Sequence, residues 1–206
     1  MRQRPKNLVR SIAKARRSGL TVRLADGESD LREFHRLYVA TMRGHRSLPR
    51  LYRQLRLARR ELQPSGVFRL FLVEDAGRPV AGGVFHVLGD TIDLLYNASD
   101  YAALAQRPNH LLYQHVINWA RARGLTRLDF GFAWPDTPLG AFKAQWGAEA
   151  VVEHGYTLGS GTAAPSARPG GAPRLPAVLA PALDALWDRA PTPALRAASM
   201  VVYRYL

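Results

Sequence analysis

The residues with the means to do chemistry gather in one stretch, Thr91 to Gly147. Asp129 can orient or deprotonate an attacking amine, and His110 carries a base that titrates near neutral pH. Arg107, placed just before an expected helix N-terminus, can attract phosphate. Lys143 is the only lysine after Lys14 in a chain whose other cations are arginines, which favours a special role. Tyr96, Asn97, Asn109 and Trp146 stand on neighbouring turns. Each has a plainer alternative. Asp129 caps a turn or pairs with an arginine, and His110 is a satisfied structural group. Tyr96 and Asn97 are core and turn residues, Trp146 packs its helix onto a sheet together with Phe142, and Lys143 is an exposed helix lysine.

The elements that must position these groups read as strand Thr91–Asn97, helix Pro108–Arg123 and strand Arg127–Phe130. A loop and a helix carrying Phe142–Gly147 follow, with Thr137-Pro138 as the cap. Such a βαβ unit puts ligands where the chain turns at its strand ends. Upstream, Leu8, Ile12 and Ala15 at i, i+4 and i+7 predict a helix over 6–18 that Gly19 ends. Thr21–Leu24 alternates as a strand. A helix capped by Ser29 runs to about Arg43, burying Leu31, Phe34, Tyr38 and Met42, and another runs from about Pro49 to Leu62.

Val67–Glu74, Val80–Leu88 and Thr91–Asn97 then form an antiparallel meander with a Gly89-Asp90 turn. Gly82-Gly83 marks a bulge or a close backbone approach. Ala150–Leu158 reads as a final strand. Residues 1–158 thus make one α/β (α+β) domain; 159–174, rich in Gly, Pro and Ala, form a linker. Residues 175–206 form a helical tail with Leu179, Leu183, Leu186 and Trp187 on one face and mixed signals from Ala194 onward.

Composition narrows the function. Cysteine is absent, which removes thiolate catalysis, disulfides and cysteine-held metal clusters. The histidines show no metal-ligand spacing, so no metal is expected. No run of 18 apolar residues is present and no apolar signal core follows the basic start, so neither a membrane span nor secretion is expected. The expected location is the cytoplasm, with peripheral contact at the inner membrane face left open. A net charge of +13 favours anionic partners. It concentrates in two acid-free segments, one with Arg10, Lys14, Arg16 and Arg17, the other with Arg50, Arg53, Arg56 and Arg60. Packed side by side, these would form one phosphate-binding face for nucleic acid; the alternative is a solvated surface.

The element order resembles the N-acetyltransferase (GNAT) superfamily: a mixed sheet with a meander, a central βαβ unit and flanking helices. Arg107–Leu112 (RPNHLL), Leu128–Gly131 (LDFG) and Phe142–Glu149 (FKAQWGAE) resemble the FemAB-type aminoacyltransferases, as do Arg10–Arg23 and Phe34–His45. Those enzymes carry two GNAT-like domains, and the resemblance here is to the second. A family-typical Gly-Arg-Ser is replaced by Gly131-Phe132-Ala133.

The resemblance implies aminoacyl-tRNA as donor and an amine on a cell-envelope precursor as acceptor. It also implies a homodimer or a partner in place of the first domain. It implies that Lys143 holds the tRNA 3′ end or stabilises an oxyanion, and that Tyr96 and Asn97 lie along the acyl-binding strand. Acyl-CoA is the alternative donor, although Arg107-Pro108-Asn109 lacks the glycines of a coenzyme A loop and Pro108 lacks an N–H. A non-catalytic binding module is the third reading. No cofactor beyond the donor is expected.

Overall fold

The computed structural model describes residues 5–134, 136–152 and 191–202. Met1–Ala148 with Pro191–Leu206 form one compact unit, and of the second, Glu149–Ala190, only 149–152 are described. Within the first unit the order is α1 (Lys6–Arg17), β1 (Thr21–Ala25), α2 (Glu28–Gly44), α3 (Tyr52–Leu62), β2 (Phe68–Asp75), β3 (Arg78–Leu88) and β4 (Thr91–Ser99). A 3₁₀ turn (Tyr101–Gln106), α4 (Pro108–Arg121), β5 (Arg127–Asp129), α5 (Pro138–Ala144) and α6 (Thr192–Val202) complete it.

The five strands lie in the order β1-β2-β3-β4-β5. The first four pair antiparallel, and β5 joins β4 in parallel through the α4 crossover. This is the expected meander followed by the expected βαβ unit. Strand alternation splits the core in two. Phe71 and Val73 of β2 join Phe85, Ile92, Leu112 and Val116 beneath α1 and α4. Leu70 and Leu72 join Leu31, Phe34, Leu37 and Leu55 beneath α2 and α3. Phe71 is wholly buried and meets Phe85 and Trp119 edge to face, so Phe71→Ala should cost about 3–5 kcal/mol.

Several boundaries move for identifiable reasons. Gly27, not Ser29, caps α2, because Asp30 accepts the Gly27 N–H while Arg23 grips the same carboxylate in a fork. Pro49 is buried but not helical and Leu51 is extended, so α3 starts at Tyr52, where the Gln54 side chain accepts the Leu51 N–H. The sheet irregularities fall at Val73/Glu74 and Val84/Phe85 rather than at the glycine pair. Gly82 instead marks a close approach: a Cβ there would sit 2.8 Å from the Phe71 carbonyl oxygen. The 3₁₀ turn had no counterpart in the sequence reading. Residues 150–152 are not in a strand, and the rest of the expected last strand, the linker and the helix at 179–187 lie outside the described residues. The mixed signals after Ala194 resolve as α6, which buries Leu195 and Ser199.

One expectation fails. The two basic helices do not share a surface: α1 packs with α4 on one face of the sheet, and α3 packs with α2 on the other. Each is amphipathic, and each apolar stripe finds a different half of the core.

Candidate active site

Strand pairing between β4 and β5 spans only Thr91–Asp93 and Arg127–Asp129. Beyond it β4 runs on to Ser99, while the chain after β5 leaves the ladder and lies beside the Leu94 carbonyl at Gly131, whose φ of 67° favours glycine. Asp129 accepts the Gly131 N–H at 2.7 Å. Lys143 reaches back from α5 and donates to the carbonyl oxygens of Gly131 and Phe132, both at 2.7 Å. The lysine is 9% exposed, so it is not a solvent-facing helix residue. Burial pushes its pKa below the usual lysine value, and the nearby Asp129 charge opposes that shift. Two of its three N–H donors are committed to the turn.

α4 begins at a constrained point. Arg107 has φ 66°, closing the 3₁₀ turn through an N–H bond to Leu104 and opening α4 by accepting from His110 and Leu111. Asn109 in the first turn accepts hydrogen bonds from Asn97 (3.3 Å) and Ser99 (2.9 Å) of β4. Asn97 also donates to the Gly82 carbonyl. These two candidate substrate-binding asparagines therefore tie α4 to β4. Tyr96 points to the α2 face, edge-on to Tyr38 at 5.4 Å.

Between α4 and α5 an aromatic cluster brings together His110, Tyr113, Phe130, Phe142 and Trp146. His110 stands edge-on to Phe142 at 5.1 Å. Burial and the neighbouring Arg107 charge push its pKa down to about 4, so it is neutral near pH 7 and a weak base. The Trp146 indole N–H is buried with no hydrogen-bond partner among the described residues.

Outside this cluster opens a cleft of about 530 Å³. Arg10 and Lys14 of α1, Arg107 at the N-cap of α4 with His110 inside it, and Phe142 of α5 with Gln145 at its C-cap line it. Arg16 and Arg17 are exposed and are not among its lining residues. Arg53 and Arg56 line another groove, of about 880 Å³, along α3 on the other side of the sheet. Among the described residues no cluster could hold a metal ion, and no helix is long and apolar enough to cross a membrane.

Asp93 is a candidate residue that the sequence pattern does not single out. It ends the β4–β5 pairing, opposite Asp129 on one side and His86 of β3 on the other. Burial, and secondarily the Asp129 charge, push its pKa up; His86 opposes the shift. Burial pushes His86 down, and its Nε2 is buried with no partner among the described residues. The available signal was a single acid inside the apolar run TIDLLYN. It was masked because strand alternation alone assigns such a residue to the solvated face.

The profile described as Acetyltransferase (GNAT) domain matches residues 2–143, more than half of the chain. The chain belongs to the GNAT acetyltransferase family. This GNAT acyltransferase domain is also similar to solved structures at low identity, which speak to its fold. FemX superposes with a TM-score of 0.62 at 19% identity, covering 70% of this chain and 54% of FemX; the chain thus spans about half of FemX. The ribosomal-protein-S18-alanine N-acetyltransferase of Escherichia coli gives 0.53 at 17%, covering 68% of this chain and 85% of that one. An aminoglycoside acetyltransferase from an uncultured soil metagenomic sample, in complex with sisomicin, gives 0.52 at 18%, covering 68% and 97%. Among curated proteins, none matches this chain.

Proposed function

We propose that this GNAT domain transfers an aminoacyl group from aminoacyl-tRNA to an amine, on a cell-envelope precursor of the kind the FemAB resemblance implies. The observation that carries the reading is the cleft in which Arg10, Lys14 and Arg107 converge from two helices. Three cations brought together from α1 and the N-cap of α4 suit a chain of phosphates better than a single carboxylate. The same α4 N-terminus is tied by Asn109 to β4 beyond the β4–β5 pairing, so donor phosphates in the cleft would lie on the element bonded to the unpaired end of β4.

In the reaction the acceptor amine attacks the ester carbonyl of the donor. A C–N bond forms, the ester C–O bond breaks, and the terminal ribose hydroxyl leaves. Asp93 takes the amine proton and returns it to the departing ribose oxygen. Its elevated pKa suits a carboxyl that must both accept and release a proton. Lys143 fixes the Gly131–Phe132 turn just past the end of β5 and adds positive potential where the tetrahedral oxyanion forms. His110, neutral and packed in aromatic rings, holds the cleft wall.

Acyl-CoA is the second reading, favoured by the acetyltransferase family match. The local backbone argues against a coenzyme A cradle of amides. Pro108 has no N–H, and the amides of Arg107, His110 and Leu111 are already bonded to chain carbonyls. The discriminating experiment titrates the protein with bulk aminoacyl-tRNA and with acetyl-CoA at 50 and 200 mM salt. Three single-strand phosphate contacts predict that tRNA affinity falls about twenty-fold over that range. Binding of acetyl-CoA alone would transfer the assignment to the second reading.

A further inference from the structure

The row of side chains that contains Asp93 crosses four strands. Phe68 of β2 pairs with His86 of β3, His86 with Asp93 of β4, and Asp93 with Asp129 of β5. Residues directly opposite one another in a ladder share a face, with Cβ atoms about 5 Å apart, so the four stand side by side. Phe68 sits in the core beneath α2 and α3, and its ring centroid lies 6.4 Å from that of His86. The row thus starts in apolar packing and runs through one base to two acids. Packing alone does not account for the base. The His86 Nε2 is buried without a hydrogen-bond partner among the described residues. A buried ring nitrogen left unpaired destabilises the fold, whereas a phenylalanine would meet Phe68 without that cost. Of the two cross-strand neighbours of His86, Phe68 has no polar atom and Asp93 has a carboxyl.

The charges agree with that pairing. Burial pushes His86 down and Asp93 up, so each is driven toward its neutral form. Each opposes that drive in the other: the Asp93 charge raises His86, and the His86 charge lowers Asp93. Asp129 acts on Asp93 in the opposite sense and pushes it up. α2 and α3 pack on this face, and among the described residues no charge from either contributes to these shifts. We propose that His86 is a positioning residue for the transfer reaction, paired with Asp93 across the β3–β4 ladder so that the imidazole orients the carboxyl and holds it ionised. This rests on the reading of Asp93 as the base that takes the amine proton. Asp93 remains the group that meets the amine, and His86 acts through it. Without the imidazole, burial and Asp129 together would keep Asp93 protonated to higher pH, where a protonated carboxyl cannot serve as a base.

The test compares the full chain with His86→Phe and His86→Gln, two changes that remove the imidazole charge, one leaving an apolar ring and one a polar group. The Asp93 carboxyl carbon is followed by NMR against pH, its signal assigned by its loss in Asp93→Asn. Both variants should raise the Asp93 midpoint by about one pH unit, the size at which two sites titrate as a coupled pair. The acid limb of kcat for aminoacyl transfer should move up by the same amount, while KM stays that of the parent. Thermal melts confirm folding, and the glutamine variant carries the test if the phenylalanine variant does not fold. A purely structural His86 would lower stability and leave both midpoint and limb in place, which overturns the proposal while the transfer reading stands. A midpoint that moves while the acid limb stays overturns it as well, since the pair then does not serve the reaction. A parent that transfers no aminoacyl group, with an Asp93 midpoint that still follows His86, overturns the transfer reading and the positioning role with it.

Discussion

The two arginine-rich helices begin alike in sequence and end in different chemistry. α1 buries Leu8, Ile12 and Ala15, with Ala15 in the core beneath α4, and so carries Arg10 and Lys14 to the mouth of a cleft shared with Arg107. α3 buries Leu55 against α2, and part of its charge is already answered. Arg59 pairs with Glu28 at 3.0 Å and also donates to the Asp26 carbonyl, and Arg60 pairs with Glu61. Charge alone therefore does not choose a binding face. The apolar stripe does, because it decides which other elements stand beside the cations.

The largest effect should come from Lys143, which sits on the α1 side of this comparison. Lys143→Ala leaves the Gly131 and Phe132 carbonyls without their donor. Aminoacyl transfer should fall by roughly a hundred- to a thousand-fold, the scale of losing a preorganised electrostatic group. Leaving two carbonyl oxygens unsatisfied should also lower stability by a few kcal/mol at most. Full turnover in this variant would remove the lysine from the mechanism.

The comparison itself can also be broken directly. Arg10→Gln with Lys14→Gln should weaken tRNA binding about ten-fold at moderate salt, whereas Arg53→Gln with Arg56→Gln should change it less than about two-fold. Equal losses from both pairs would mean that the ligand wraps the sheet and that the two faces act together.

Much of this arrangement was legible in the sequence, and the reason is local. The meander, the α4 crossover and the Thr137-Pro138 cap are written in strand alternation, turn residues and capping chemistry, all short-range signals. The convergence of Arg10 with Arg107 was not, because nothing local says that α1 packs on α4. Two basic helices with similar apolar stripes looked equally able to lie together. Burial was also invisible at single charged positions. Lys143 stands out in the sequence as a lone lysine, but an exposed helix position stays open until Gly131 and Phe132 are seen to bring their carbonyls to it. Asp93 reads as a solvated strand residue until Asp129 and His86 are placed on either side.

Asp93 supplies the next prediction, on rate and stability together. Its folded pKa is raised, so the folded state binds the proton more tightly than the unfolded chain. That contributes stability at low pH, which is lost as pH rises from the unfolded carboxylate value through the folded one. Asp93→Asn should therefore remove a small cost at pH 7 and raise the melting temperature slightly. Transfer should fall by about a hundred-fold, the lower end of what such catalysis provides, and lose the rise with pH that a general base confers. A variant with the parental pH–rate profile would show that the proton leaves by another route.

The smallest effect concerns the neutral wall of the cleft. His110 has a folded pKa of about 4, below its ordinary value of 6.5. The folded state thus binds this proton less well than the unfolded chain. Stability from this group is fully present above about pH 6.5 and is lost as pH falls toward 4. His110→Phe keeps a ring against Phe142 and Trp146 and removes the titration. Urea midpoints at pH 7, 5.5 and 4.5 should fall less steeply in this variant than in the parent. Some acid sensitivity should persist, since His86 and His115 are also held below their ordinary values by burial. The cleft cations are untouched by the change, so tRNA affinity at pH 7 should be unaltered. An unchanged acid slope would mean that His110 reaches solvent and can add its charge to Arg10, Lys14 and Arg107, and the α1 side would then owe part of its anion affinity to pH.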